Sequence, residues 1–228
     1  MRKVDYAYDV IIIGGGVVGS SIARELSKYK LNTCVLEKEL DVCCETSGRN
    51  SGVLHAGFNN KAGSLMAKFC VEGNENFDEI AKELDIPFKR TGKLVVGFNE
   101  EDKEKLIKMK EQGEANGVKG LEIINKDKIR KLSPYVEGNF ALYSPQTGIL
   151  NPFIYTIAMA ENAVSNGVKY FLDNEVLDIK KVLEKDKDIF QIKTNKNIYK
   201  SRWLINSAGL NSDEIGKMMG IEDYTIYP

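Results

Sequence analysis

The stretch that most constrains this chain is Tyr8 to Gly19. Val10-Ile11-Ile12-Ile13 is an apolar, mostly β-branched run that stops at Gly14-Gly15-Gly16-Val17-Val18-Gly19, so a buried strand enters a tight turn and then a helix. Glycines at 14, 16 and 19 match the spacing G-x-G-x-x-G. Gly14 permits the sharp turn, Gly16 lets backbone approach a pyrophosphate, and Gly19 lets the helix pack close to the strand. The helix start carries bare N–H groups and a partial positive charge, which stabilise a phosphate anion. A lone glycine motif is weak, but here an amphipathic helix (Ile22, Ala23, Leu26) follows. A second strand, Thr33-Cys34-Val35-Leu36, then ends in Glu37, eighteen residues past Gly19. That is where a dinucleotide-binding βαβ unit places the acid that accepts from ribose hydroxyls. The alternative is a plain βαβ unit with a glycine-rich turn.

Composition narrows the function classes. The 228 residues suffice for one large domain or two modest ones, and 43% hydrophobic with 29% charged residues is ordinary globular usage. A formal net charge of -1 offers no basic excess to neutralise phosphates, which argues against a nucleic-acid partner. No apolar run approaches the ~20 residues of a transmembrane helix, and the glycine-rich strand begins too early for a signal peptide. The expectation is therefore a cytoplasmic protein with no transmembrane segment, with peripheral membrane contact left open. Cysteines at 34, 43, 44 and 70 form no C-x-x-C pair and no metal-ligand set, so no metal is expected. They read as reduced structural thiols, with a redox role for the adjacent Cys43-Cys44 pair as the alternative.

Further along, Glu45 to Gly57 is dense in small hydrogen-bonding residues without helical or strand period, and it holds the only histidine, His55. Ser64–Leu84 has mostly helical apolar spacing and is read as one helix across Gly73, stopped before Pro87. Strands are expected at 92–98 and 140–143. Helices are expected at 100–115, lying exposed on an outer face, at 125–132, and from Asn151-Pro152 to about Asn166. Tyr170 to Ile179 reads as continuing strand-type sequence, Lys180–Asp188 as a solvated turn, and 190–192 with 198–199 as the rest of a β-meander. Arg202–Asn206 reads as a further buried strand feeding Ser207-Ala208-Gly209 and a helix through Met218.

Three blocks carry a family resemblance: Gly14–Gly19 with Leu36-Glu37-Lys38; Thr46-Ser47-Gly48-Arg49-Asn50-Ser51-Gly52-Val53-Leu54-His55-Ala56-Gly57; and Asn206-Ser207-Ala208-Gly209. Together they resemble the FAD-dependent oxidoreductases related to D-amino-acid oxidase, in particular the L-2-hydroxyglutarate dehydrogenase/oxidase and FAD-linked (anaerobic-type) glycerol-3-phosphate dehydrogenase branches. The resemblance implies an α/β fold: a Rossmann-like FAD-binding domain with a parallel central sheet and β-meander, plus the first part of an α+β substrate domain. The FAD-binding domain is expected over 1–85 and 148–228, and the partial substrate domain over 86–147. It implies FAD as cofactor, with Gly14, Gly16, Val18 and Gly19 at the pyrophosphate and Glu37, with Lys38, at the adenosine ribose. Thr46, Ser47, Arg49, Asn50, Ser51 and Gly52 would run along the phosphates toward the flavin ring. Val176 would meet the adenine, and Ala208 and Gly209 would close over the pyrophosphate. Members of that family run well beyond this length, so the resemblance also implies a chain truncated at its C-terminus, without turnover and with weak flavin retention.

Oxidising a secondary alcohol sends hydride to flavin N5 and needs a base for the hydroxyl proton. His55 is the candidate, since an imidazole titrates near neutral pH. Its alternative role is to pack a turn or hydrogen-bond the flavin. Among the basic side chains Arg49, Arg90 and Lys93 that an anionic substrate would meet, the last two read as solvated charges, and Arg49 could neutralise the cofactor pyrophosphate instead. The expected function is the N-terminal part of an FAD-dependent dehydrogenase or oxidase. Its expected substrate is a small anionic 2-hydroxy compound (glycerol 3-phosphate or an L-2-hydroxyglutarate-like acid), with the electron acceptor unknown. The alternatives are a nicotinamide-dependent reductase, which the 46–57 block argues against, and a non-catalytic FAD-binding fragment or scaffold.

Overall fold

The computed structural model describes residues 5–184 and 187–227. By its internal contacts the chain divides into two compact units, residues 1–50 with 152–228, and residues 51–151. The first unit opens with strand β1 (Asp5–Ile13), helix α1 (Val17–Leu26) and strand β2 (Thr33–Leu36).

The second unit follows. It contains β3 (Val53–Leu54), α2 (Leu65–Glu75), α3 (Phe77–Glu83), β4 (Phe88–Lys89) and β5 (Lys93–Gly97), then α4 (Glu100–Ala115), β6 (Glu122–Asn125), α5 (Lys126–Leu132), β7 (Phe140–Ser144) and β8 (Gly148–Leu150). Its strands form two antiparallel three-stranded sheets, ordered β3-β8-β4 and β5-β7-β6. Helix α4 starts where Asn99 Oδ1 accepts from the Asp102 amide, and Glu100, Glu101 and Asp102 set negative charge on the positive end of its dipole. It buries Leu106 and Gly113 against a core of Phe58, Val118, Leu121 and Leu142 and leaves the rest of its surface largely in water.

The chain then returns to the first unit through α6 (Pro152–Ser165), β9 (Lys169–Phe171), β10 (Val176–Glu184), β11 (Lys187–Thr194), β12 (Ile198–Asn206) and α7 (Ser212–Lys217). One six-stranded sheet results, ordered β10-β11-β12-β1-β2-β9. The four strands β12, β1, β2 and β9 are parallel, while β10, β11 and β12 form an antiparallel meander. Alternation in β1 covers both faces. Ile11 and Ile13 join Cys34, Leu36, Ile192, Tyr199 and Ile215 on one side, whereas Val10 and Ile12 join Val35, Ala23, Ala163 and Val168 on the other. This is a parallel α/β sheet with an appended meander, as the sequence pattern and the resemblance implied. Among the described residues, no helix is long and apolar enough to cross a membrane.

Four local readings need correction. The single helix expected over 64–84 is two, α2 and α3, divided at Asn76 rather than at Gly73. The neighbouring Asn74 is buried and spends its side chain on carbonyls outside its own helix. Residues 170–179 are not one run of strand. β9 and β10 lie on opposite edges of the sheet, because Asp173 takes a left-handed φ of 54° and turns the chain away. Lys180–Glu184 continues β10 in a ladder with β11 that includes a Lys181–Asp188 ion pair; Lys185 and Asp186, the centre of the expected turn, lie outside the described residues. Finally, 198–199 and 202–206 are one strand, β12, paired with β11 along its first part and with β1 along its length. Arg202 and Trp203 on that strand are exposed, not buried.

The expected boundary after residue 85 and the break after Asn50 differ for a related reason. The Asn74 amide donates to the carbonyls of His55 and Gln146, which ties α2 to the strands of the second unit.

Candidate functional site

The register of the parallel strands builds the site. Ile13 pairs with Leu36 on one side and Asn206 on the other, so the first residues past three strands, Gly14, Glu37 and Ser207, meet at one sheet edge. Backbone bonds lock them together: Gly14 N–H donates to Leu36 O at 2.9 Å, and Ser207 N–H donates to Ile13 O at 2.9 Å. Carboxyl ends of parallel strands are where open α/β sheets bind ligands.

Here lies a cavity of about 620 Å³ within the first unit. The turn residues Gly14, Gly16 and Val18 form one side, with Glu37 and Lys38 after β2 and Thr46 and Ser47 from a short 3₁₀ turn. Val176, Ala208 and Gly209 complete the wall, with Leu210, Ile215 and Met218 of the α7 region as an apolar side. The glycines are sterically required. A Cβ on Gly14, whose φ is 102°, would stand 2.5 Å from the Ser207 carbonyl oxygen, and one on Gly19 would collide with the Gly14 carbonyl. Gly19 does not line the cavity, so its role is the close packing of α1 on the turn.

The start of α1 fits an anion. Gly16 caps it with extended backbone and no side-chain bond. Ser47 Oγ accepts from the Val17 amide at 3.0 Å, and among the described residues no acceptor reaches the amides of Gly16, Val18 and Gly19. Helix N-termini with free amides bind phosphate by hydrogen bonds and dipole together. Side chains contribute little positive charge. Lys38 pairs with Glu45 at 3.1 Å and Glu39 at 3.5 Å, and that bond to Lys38 holds the Glu45 carboxyl below the usual range. Glu37, Glu175 and Glu214 also line the wall. A diphosphate here would thus rest on backbone amides rather than on basic groups.

Glu37 is 8% exposed; Oε2 accepts from the Gly15 amide at 2.5 Å and Oε1 from the Glu39 amide at 2.9 Å. These bonds fix its carboxylate at the cavity edge, where its remaining lone pairs can accept from sugar hydroxyls. Its position is further set by Asn174, whose amide donates to Glu37 O at 2.8 Å. Asn174 Oδ1 in turn accepts from Tyr199 Oη at 2.8 Å and Thr194 Oγ1 at 3.2 Å, a fully buried polar network under the start of β10.

Other expected positions fall elsewhere. Arg49 is exposed and gives its Nε–H to the Cys44 carbonyl at 3.1 Å, and Asn50 folds back onto the Thr46 and Ser47 carbonyls. Neither lines the cavity. Ser51 and Gly52 belong to the second unit, where Gly52 has φ 63° and its carbonyl accepts from the Leu150 amide. His55 also lies in the second unit, just after β3, with an exposed ring. Partial burial, with the Lys93 charge adding to it, pushes its pKa below the ordinary imidazole value and so favours the neutral ring. Arg90, read from sequence as a solvated charge, is instead engaged: it bonds Asn74, Asp78 and the Gln146 carbonyl.

Residues 9–228 match the family model described as DAO, FAD dependent oxidoreductase. The chain belongs to the DAO family of FAD-dependent oxidoreductases. It is 46% identical over 224 residues to a glycerol 3-phosphate dehydrogenase of Caloramator mitchellensis, a match that covers 97% of this chain and 46% of that protein. With the mitochondrial L-2-hydroxyglutarate dehydrogenase of Nematostella vectensis it shares 37% identity over 225 residues, covering 93% of this chain and 49% of the relative. Among solved structures, an FAD-bound L-alpha-glycerophosphate oxidase from Mycoplasma pneumoniae superposes with a TM-score of 0.85 at 30% identity, covering 93% of this chain and 56% of the other. The chain spans about half the length of the curated relatives it matches.

For a member of the DAO family, the glycine turn, Glu37 and the 46–47 turn were legible in the sequence. The apolar side from Leu210 to Met218 and the Asn174 network were not. The only hint of the latter was a polar Asn174-Glu175 immediately before a strand.

Proposed function

We propose that this chain binds FAD at the cavity above β1, β2 and β12 and serves the oxidation of a small anionic 2-hydroxy compound, glycerol 3-phosphate or an L-2-hydroxyglutarate-like acid. The observation that carries the reading is the pair of free amides at Gly16 and Val18 opening on the same cavity as the Glu37 carboxylate. When bound, the flavin supplies the two-electron acceptor for the alcohol. The residues of the chain do the rest. The α1 amides hold the diphosphate, with Thr46 and Ser47 beside it. Glu37 accepts from the ribose hydroxyls, Val176 faces the adenine, and Ala208 and Gly209 leave room for the pyrophosphate. Arg49, Asn50, Ser51 and Gly52 carry the chain toward the flavin, and Lys38 steadies the ribose side through its pairing with Glu45. His55, whose pKa is held below the ordinary imidazole value, accepts the hydroxyl proton at an imidazole nitrogen.

The substrate class rests on the glycerol 3-phosphate and L-2-hydroxyglutarate dehydrogenases to which the chain is similar. Titrating the protein with FAD should give saturable quenching of flavin fluorescence. In FAD-loaded protein extended to the full length of those relatives, anaerobic mixing with glycerol 3-phosphate, L-2-hydroxyglutarate and L-lactate should then bleach the flavin with one of the first two, whereas this chain by itself should turn over none. Absence of FAD binding, or bleaching by none of the panel, would overturn the proposal.

A further inference from the structure

Among the described residues, the His55 ring has no hydrogen-bond partner, so the point from which the side chain starts is fixed by how its backbone is held. That backbone is held chiefly by Asn74. This residue is 4% exposed, and its Nδ2 donates to His55 O at 3.0 Å and to Gln146 O at 3.1 Å, with Leu54 O more distant at 3.5 Å. A carboxamide nitrogen has two protons, so the two short bonds use both and tie the loop after β3 to the turn before β8. The Asn74 side chain is itself fixed. Arg90 donates from one guanidinium nitrogen to Asn74 Oδ1 at 2.8 Å and to Gln146 O, and from the other to Asn74 O at 2.8 Å and Asp78 Oδ2 at 3.1 Å. A planar fork on four acceptors is a rigid arrangement, and a lysine could not reproduce it. The Cys70 thiol adds a longer contact to the His55 carbonyl at 3.5 Å.

We infer that Asn74, clamped by Arg90, is a positioning residue: it fixes the place of the His55 backbone, and with it the root of the imidazole side chain, through the His55 carbonyl, and touches neither substrate nor cofactor. The same arrangement accounts for the break between α2 and α3. Asn74 sits at the end of α2, where turning its amide outward to three carbonyls coincides with the loss of helix at Asn76. The role deepens the reading of His55 as proton acceptor and rests on it. Transfer of a proton depends on placement, and a misplacement of about 1 Å costs on the order of a hundredfold in rate.

The sole histidine makes the test direct. In wild-type protein, a long-range HNCO experiment should show a through-hydrogen-bond correlation from the Asn74 side-chain amide to the His55 carbonyl; its absence would overturn the inference without any variant. Asn74→Leu removes donors and acceptor alike, while Asn74→Asp keeps an acceptor for Arg90 and removes only the donors. In whichever variant folds, the single imidazole signal should broaden or split. In the uncharged leucine variant its titration midpoint should also return toward the ordinary value as the ring leaves its partly buried place. An unchanged signal would overturn the inference. In FAD-loaded protein extended to the full length of its relatives, Asn74→Asp should slow flavin reduction about tenfold or more with FAD affinity unchanged. If His55→Ala reduces flavin at the normal rate while the correlation to Asn74 is present, the base reading fails and the anchoring stands.

Discussion

Replacing glycines in the turn separates what the fold needs from what a ligand needs. At Gly14 an alanine would keep a φ of 102°, a conformation that costs a non-glycine residue about 1–3 kcal/mol. Its Cβ would also lie 2.5 Å from the Ser207 carbonyl oxygen, where a carbon and a carbonyl oxygen ordinarily meet at about 3.3 Å. The overlap involves backbone on both sides, and Ser207 is tied to Ile13 O by its amide and its hydroxyl, so the sheet edge must open. Overpacking of this kind costs about 1–3 kcal/mol. The two effects together are roughly 4 kcal/mol, which for a chain of this size lowers the melting temperature by about 8–16 °C.

Gly16 differs. Its φ of -73° suits any residue, and the atom its Cβ would press, at 2.9 Å, is the rotatable Ser47 hydroxyl. The loss is the Ser47 to Val17 bond, about 1 kcal/mol, or a few degrees of melting temperature. Both residues line the cavity, so the methyl group or the displaced hydroxyl intrudes on the space above the α1 amides. Gly16→Ala should therefore melt within about 4 °C of wild type and bind FAD at least about tenfold more weakly. Gly14→Ala should lose both. Calorimetry without FAD and titration of flavin fluorescence read the two quantities independently. A Gly14→Ala protein as stable as wild type, or a Gly16→Ala protein with unaltered affinity, would refute the reasoning.

Two further outcomes follow from the same structure. Ile12 is fully buried between the sheet and α1, so Ile12→Ala should cost about 2–5 kcal/mol in urea unfolding without changing the m-value; a loss under 1 kcal/mol would mean the site collapses freely. For His55 the folded-state pKa is depressed, so the unfolded chain takes its proton first as pH falls. The ring should thus favour folding less below its ordinary value of about 6.5, and flavin reduction should rise with pH through an inflection below that value. A His55→Ala protein retaining that inflection would assign it to another group.

Short-range pattern determined much of this protein. The alternation of Val10 to Ile13, the three glycines and the acid after the second strand require a strand, a turn and a helix folded back in parallel, because a run buried on both faces must be covered on both. Asn99 and Asn125 mark helix starts by the same local logic, each accepting from the amide three residues on. What the sequence could not show was closure at a distance. Residues 170–179 carry one apolar signal, yet they supply opposite edges of the sheet, since pairing partners and not propensity decide where a strand lies. Trp203 reads as core and is exposed, because burial depends on what packs above a strand and not on the strand itself. Asn74, Arg90 and Asn174 look like surface polar residues in the sequence. Only the tertiary structure makes buried hubs of Asn74 and Asn174 and half-buries Arg90 against Asn74, whose side chain meets a carbonyl 72 residues away in the chain.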